Sequence, residues 1–283
     1  MEKIVFNGEY FNLRDTLNCG QVFRFFAAED RDGAYFVNSA DKRCLAYNDG
    51  DNAVIECESE DRAYFENYFD LTRDYGAIVN AATAQGGVLK TAAKLGKGIR
   101  ILNQNKAEAL FSFIVSQNNN IPRIKGIIER LCAGAGKKRT FCGAEYYTFP
   151  TAAELAAKPL EFFKEIGLGY RAEYIKCLAD GFKGTFDEKE FSALTTKDLK
   201  KRLVAIYGVG PKVADCVSLF GFHRLDSFPV DTWIEKVYRE NFNGTLTDRA
   251  KIADYFVETF GKNAGYFQQY LFYYKRSLEK EGK

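Results

Sequence analysis

A chain of 283 residues, 46% apolar and 28% charged, can bury a substantial core and divides naturally into two or three sub-domains. Its net charge of +2 is too small to imply a polyanion partner, because nucleic-acid binding shows in local patches more than in totals. Seven scattered cysteines with no CxxC pair, and a single histidine, His223, argue against a zinc site, a Ser-His-Asp triad or a histidine base, which leaves Lys, Asp, Glu or Cys to carry any catalysis.

The opening "MEKIVFNGEY" is charged and alternating and lacks the apolar stretch of an export signal, and no run is long enough to span a membrane. A cytoplasmic protein with reduced, largely core-filling thiols is expected, associated with the nucleoid if the cell is bacterial. The segments "AYFVNS" (34–39), "RCLAYN" (43–48) and "AVIECE" (53–58) are short and aromatic or β-branched, with the hairpin signal "NDGDN" between the last two. They predict an antiparallel sheet, followed by a helix around "DRAYFENYFDL" (61–71).

From about residue 101 apolar residues recur three or four apart, predicting helices at 106–117, 122–133, 171–182, 196–206, 211–222, 231–241, 248–260 and 266–280. Pro122 and Pro211 suit first-turn positions, and Thr151 with Glu154 fits a capping box. The basic segment 123–140 reads as a solvated face or as a nucleic-acid patch. The predicted fold is α+β, mostly α: an N-terminal antiparallel sheet domain, 1–100, and a helical body, 101–283, containing a helix-hairpin-helix near 195–222.

That hairpin is "YGVGPKVADC" (207–216). Gly208 suits the left-handed residue that ends a helix, and Gly210 allows close backbone approach to a ligand. The unpaired N–H groups at the start of the second helix suit a DNA phosphate, with Gly208, Val209 and Gly210 as the hairpin residues at that contact, which holds a duplex without reading it. Lys212 stands where the helix dipole repels a cation, so its pKa should fall and its amine become a nucleophile. Cys216, four residues on, shares its face, as a pocket residue or a buried small hydrophobe. Asp231, before "TWIEKV", fits a helix N-cap, a role compatible with stabilising developing positive charge.

With "PVDTW" (229–233) following "GVGPKVADC", the sequence resembles the helix-hairpin-helix DNA glycosylases with a catalytic lysine, specifically the 8-oxoguanine DNA glycosylase/AP lyases of the eukaryotic type. Further matches, in one order, are "NCGQVFRF" (18–25), "FSFIVSQNNNIPRI" (111–124), "GLGYRAEYI" (167–175) and, more weakly, "AGYFQQYLF" (264–272). The resemblance implies that Lys212 attacks C1′ of a flipped-out nucleotide, expels the base and forms a Schiff base whose β-elimination nicks the strand, with Asp231 stabilising the sugar's positive character. It implies that the Gly20 carbonyl tests the lesion's N7–H, that Gln268 reads the Watson–Crick edge, and that Cys216 and Phe272 sandwich the base. Phe272 reads equally as core packing, and a slip of register would replace Gln268 with Gln269.

Asn118, Arg123, Tyr170 and Arg171 match residues that fill the vacated stack and contact the orphaned cytosine, implying a preference for the lesion opposite C. The implied partner is double-stranded DNA containing oxidised guanine; no metal or organic cofactor is implied, and a monomer is the default. One departure stands out: Trp233, the only tryptophan, replaces a histidine that holds the lesion's phosphate in animal members. The iron–sulfur branch is excluded by the missing cysteines. Lys212 argues against the alkylbase glycosylases, and a non-catalytic DNA-binding module would leave Lys212, Asp231 and Gly20 as coincidences.

Overall fold

A computed structural model describes residues 1–183 and 187–281. Strand β1 (Glu2–Asn7) and helix α1 (Leu13–Asn18) lead into β2 (Phe25–Ala27), β3 (Tyr35–Ser39), β4 (Lys42–Asp49) and β5 (Asn52–Cys57). These five strands form one antiparallel sheet in the order β1-β5-β4-β3-β2. The predicted hairpin is present: Asp49 faces Asn52 across a two-residue turn. The three predicted strands are β3, β4 and β5. The outer strands β1 and β2 are additional, and β1 pairs with a strand some 50 residues later in sequence, Glu2 against Cys57.

Helices α2 (Arg62–Tyr68), α3 (Tyr75–Ala84) and α4 (Gly87–Leu95) follow, then α5 (Lys106–Ser116) and α6 (Ile121–Ala135). A small hairpin, β6 (Lys138–Phe141) and β7 (Ala144–Tyr147), occupies the end of the basic segment, where no strand was expected. Next come α7 (Ala152–Ala156), α8 (Leu160–Glu165), α9 (Arg171–Phe182), α10 (Glu188–Ala193), α11 (Thr196–Val204), α12 (Pro211–Phe220), α13 (Thr232–Asn241), α14 (Arg249–Phe260) and α15 (Ala264–Glu281). The capping box before α7 is complete, with Thr151 and Glu154 each bonding the other's backbone.

Two cores divide the chain. One lies under the sheet, around Phe11, Val37, Ile55, Phe65 and Phe69. The other runs through the helical body and already includes Tyr75, Ile78, Leu89 and Ala92. Helices α3 and α4 therefore pack with the body, α4 lying against α15, ahead of the expected division at residue 100. Arg24, wholly buried, ties the units together: it pairs with Glu108 of α5 and Glu129 of α6, each at 3.5 Å, and donates to the Tyr147 carbonyl. Burial pushes both carboxyls up and Arg24 holds them down, which keeps a buried charge partnered on each side. The loop following α1 is thus fixed against the helical body. Among the described residues no helix is long and apolar enough to cross a membrane.

Candidate active site

The helix-hairpin-helix spans α11 to α12, as expected. Gly208 has φ +87, and a Cβ there would come within 2.3 Å of the Tyr174 ring, so both conformation and space demand glycine. Gly210 is the N-cap of α12, with open space where a Cβ would stand. The buried Asp215 of α12 meets Lys200 of α11 at 2.6 Å, cross-linking the two helices. Val209 is buried beneath the turn, and its N–H donates to the Ile206 carbonyl at 3.0 Å.

Lys212 sits in the first turn of α12, exposed at the mouth of a cleft. Its amine lies 5.9 Å from the centre of the buried Phe113 ring. The cleft, with a cavity of about 60 Å³, is lined by Lys212, Cys216, Asp231, Gly20, Gln268 and Phe272, together with Cys19, Phe113, Phe220, Pro229 and Gln269. All six residues expected at the lesion and at the reacting carbon therefore meet in one place, drawn from four separated stretches of chain.

Asp231 is the N-cap of α13: one carboxylate oxygen accepts from the N–H groups of Trp233 and Ile234, both at 3.0 Å. Such a cap contributes on the order of 1 kcal/mol, and it fixes the carboxylate at the cleft. Burial pushes the Asp231 carboxyl above its ordinary value, opposed by the capping bonds and by Lys212. Burial likewise raises the Cys216 thiol.

Lys212 departs from expectation. The interaction with Cys216, one turn along the same helix, is the largest influence and raises the amine's pKa; burial lowers it, and Asp231 adds to the rise. A helix start offers only a fraction of a unit charge, whereas the Asp231 carboxylate brings a whole one. The resting group is an ammonium, and attack requires that its proton first be taken.

Gln268 and Phe272, four apart on α15, both line the cleft, and so does Gln269. Gln268 is 4% exposed and donates to the Pro229 carbonyl at 3.1 Å, while its Oε1 is buried without a partner among the described residues. An unpartnered acceptor in such a place costs about 1–3 kcal/mol until a donor arrives. The neighbouring Gln269 instead donates to the Cys19 carbonyl at 2.9 Å. The Phe272 ring lies against Gly20, 3.4 Å from where a Cβ would stand, and Gly20 has φ +89.

The second group lies at two turns. Asn118, with φ 45, stands exposed between α5 and α6. Tyr170 is 53% exposed, and Arg123 is exposed, with a contact to the Gly167 carbonyl at 3.3 Å. Arg171 differs, being 3% exposed. Its guanidinium donates to the carbonyls of Gln117 at 2.7 Å, Asn118 at 2.9 Å and Leu168 at 3.2 Å. It holds the turn that presents Asn118. Sequence reasoning missed Gln117, whose amide donates to the Gly208 carbonyl at 2.8 Å and links that turn to the hairpin. Trp233 is not part of the cleft lining; it stacks with Lys236 on α13, 5.1 Å from ring centre to amine. His223 lies beside Asp70, at 3.6 Å, where burial lowers it to about 4 and keeps the ring neutral.

The family model for the 8-oxoguanine DNA glycosylase N-terminal domain matches residues 3–110, and that for the HhH-GPD superfamily of base excision DNA repair proteins matches residues 111–259. The chain belongs to the 8-oxoguanine DNA glycosylase family of that superfamily. It is 31% identical to the N-glycosylase/DNA lyase of Saccharomyces cerevisiae over 267 residues, covering 85% of this chain and 70% of the yeast protein. MBOgg1, solved with a low-affinity DNA ligand, is 38% identical, with a TM-score of 0.91 over 98% of this chain and 96% of its own. The Clostridium acetobutylicum 8-oxoguanine glycosylase/lyase, solved with duplex DNA carrying cytosine opposite the lesion, is 38% identical, with a TM-score of 0.89 over 96% of this chain and 93% of its own.

Proposed function

We propose that the protein excises 8-oxoguanine from duplex DNA and nicks the strand at the resulting site, with Lys212 as nucleophile. The observation that carries the assignment of residues is the convergence of Lys212, Asp231, Cys216, Gly20, Gln268 and Phe272 on one cleft. The lesion enters by leaving the base stack, which costs a few kcal/mol. Once inside, its N7–H meets the Gly20 carbonyl, its Watson–Crick edge supplies a donor to the unpartnered Gln268 Oε1, and its faces lie between Cys216 and Phe272.

Asp231, its basicity raised by burial, takes a proton from the Lys212 ammonium. The freed lone pair attacks C1′ as the bond from C1′ to N9 breaks. The base leaves with that electron pair and takes up the proton that Asp231 accepted, which restores the Asp231 carboxylate to steady the positive charge now on the sugar–amine adduct. Opening of the sugar ring gives a Schiff base between Lys212 and C1′. Loss of a C2′ proton then expels the 3′ phosphate, which is β-elimination. Gly208, Val209 and Gly210 hold the backbone, while Asn118, Tyr170 and Arg123 fill the gap and meet the opposite cytosine. Such a substrate places the enzyme with the chromosome, at the nucleoid in a bacterial cell.

Replacing Lys212 tests the assignment. Lys212→Gln is expected to bind a duplex with 8-oxoguanine opposite C as the parent does, measured by fluorescence anisotropy, and to release no base. Base release at the parent rate would remove Lys212 from the chemistry.

A further inference from the structure

We propose that Gln269 is a positioning residue for lesion selectivity: its amide fixes the Cys19 carbonyl and thereby aims the next carbonyl, that of Gly20, at the lesion's N7–H. The inference rests on the reading of Gly20 above. Gln269 is 2% exposed, and its Nε2 donates to the Cys19 carbonyl at 2.9 Å.

The surrounding loop repeats the pattern. The Asn18 carbonyl accepts from Arg276 Nη1 at 3.0 Å, and the Gln21 carbonyl accepts from Gln104 Nε2 at 2.7 Å. The Gln21 side chain is itself anchored, donating to the Arg100 carbonyl at 2.7 Å and accepting from the Leu102 N–H at 2.8 Å. Gly20 stands among these, and among the described residues no donor meets its carbonyl. Its φ of +89 turns its peptide away from those of its neighbours. Three of four successive carbonyls are thus engaged and one is left open, in the wall of the cleft.

Residues 269, 272 and 276 are three and four apart and so share one face of α15. Arg276 Nη1 and the Phe272 ring approach the Gly20 Cβ position to 3.6 and 3.4 Å. One helix therefore both reads the base, through Gln268, and holds the loop that tests it. The holding matters because a carbonyl distinguishes N7–H from an N7 lone pair only while it points at that atom; hydrogen bonds weaken steeply off line.

Gln269→Met keeps the length and packing but loses the donor. Single-turnover excision of 8-oxoguanine opposite C should fall roughly three- to tenfold, with an equal narrowing of the binding preference for 8-oxoguanine over guanine. Nicking of a duplex with a preformed abasic site, which offers no base to Gly20, should keep the parent rate. Equal slowing of both reactions, or an unchanged preference, overturns the proposal. A duplex containing 7-deaza-8-oxoguanine, which lacks the N7 donor, separates this outcome from a failure beneath it. If the parent protein binds that duplex as tightly as the 8-oxoguanine one, the Gly20 reading itself is wrong. If the parent discriminates and Gln269→Met discriminates equally well, only the clamp is wrong. Should Gln269→Met fail to fold, the half-buried Arg276→Met, which frees the Asn18 carbonyl, must show the same selective loss in smaller measure; unchanged selectivity there overturns the proposal.

Discussion

The cleft around Lys212 gathers mostly buried or half-buried residues from five distant stretches and fixes them with caps and loop clamps. The two turns carrying Asn118 and Tyr170 instead leave Asn118, Arg123 and Tyr170 in solvent and bury a single arginine beneath them. The difference fits the role proposed for each. Displacement at a sugar carbon needs atoms held within a fraction of an ångström, whereas filling a gap in a stack needs reach. The cleft should therefore respond to substitution through rate, and the turns through selectivity, except at Arg171, whose loss should act on the fold.

The largest expected effect lies in the cleft. Asp231→Asn should slow excision at neutral pH by about a hundredfold or more, the usual worth of a placed acid–base group. The pH profile sharpens this. With Asp231 present, the pair exchanges its proton internally, so the rate should be level through neutrality. It should fall on the acid side at a pH above the ordinary carboxylate value, because Asp231 is raised and must be ionised to act. In Asp231→Asn the proton must go to solvent from an amine whose ordinary value already lies far above neutrality. The rate should then climb about tenfold per pH unit across neutrality. A level profile in the variant would separate Asp231 from the proton transfer.

Arg171→Met comes next. It strips three carbonyls of a donor, so stability should drop by about 1–3 kcal/mol in thermal or denaturant unfolding, with slower excision whatever the opposite base. The smallest change in the fold is expected for the exposed Arg123→Met: stability within about 0.5 kcal/mol of the parent, and a loss of the preference for C over A of about tenfold. If Arg171→Met leaves stability intact and alters only the opposite-base preference, the comparison between the two turns and the cleft breaks.

Much of this was legible in the sequence because its signals are local. Helix α9 begins and ends where its apolar period does, Asp231 caps α13 as its position before "TWIEKV" implied, and the Thr151–Glu154 box is complete. What escaped depends on distant partners. Strand β1 is defined by β5, β2 is three residues long, and the low-contrast "YGAIVNAATA" of α3 has no clear polar face. Arg171 carries a charge that reads as exposed, yet three backbone carbonyls give it a buried place. The direction of the Lys212 shift depends on Cys216, one turn along the same helix, and on Asp231, brought near from another element, and it reverses what the helix start alone implied. Gln269, adjacent to the residue that the family pattern picks out, carries no sequence signal of its own; its role appears only where α15 meets the Gly20 loop.

The most direct measurement traps the covalent intermediate. Borohydride is added while the protein turns over a duplex with 8-oxoguanine opposite C, and the cross-linked peptide is mapped by mass spectrometry. A single DNA adduct on the peptide containing Lys212 is the predicted result; no adduct, or one carried by another amine, would contradict the account.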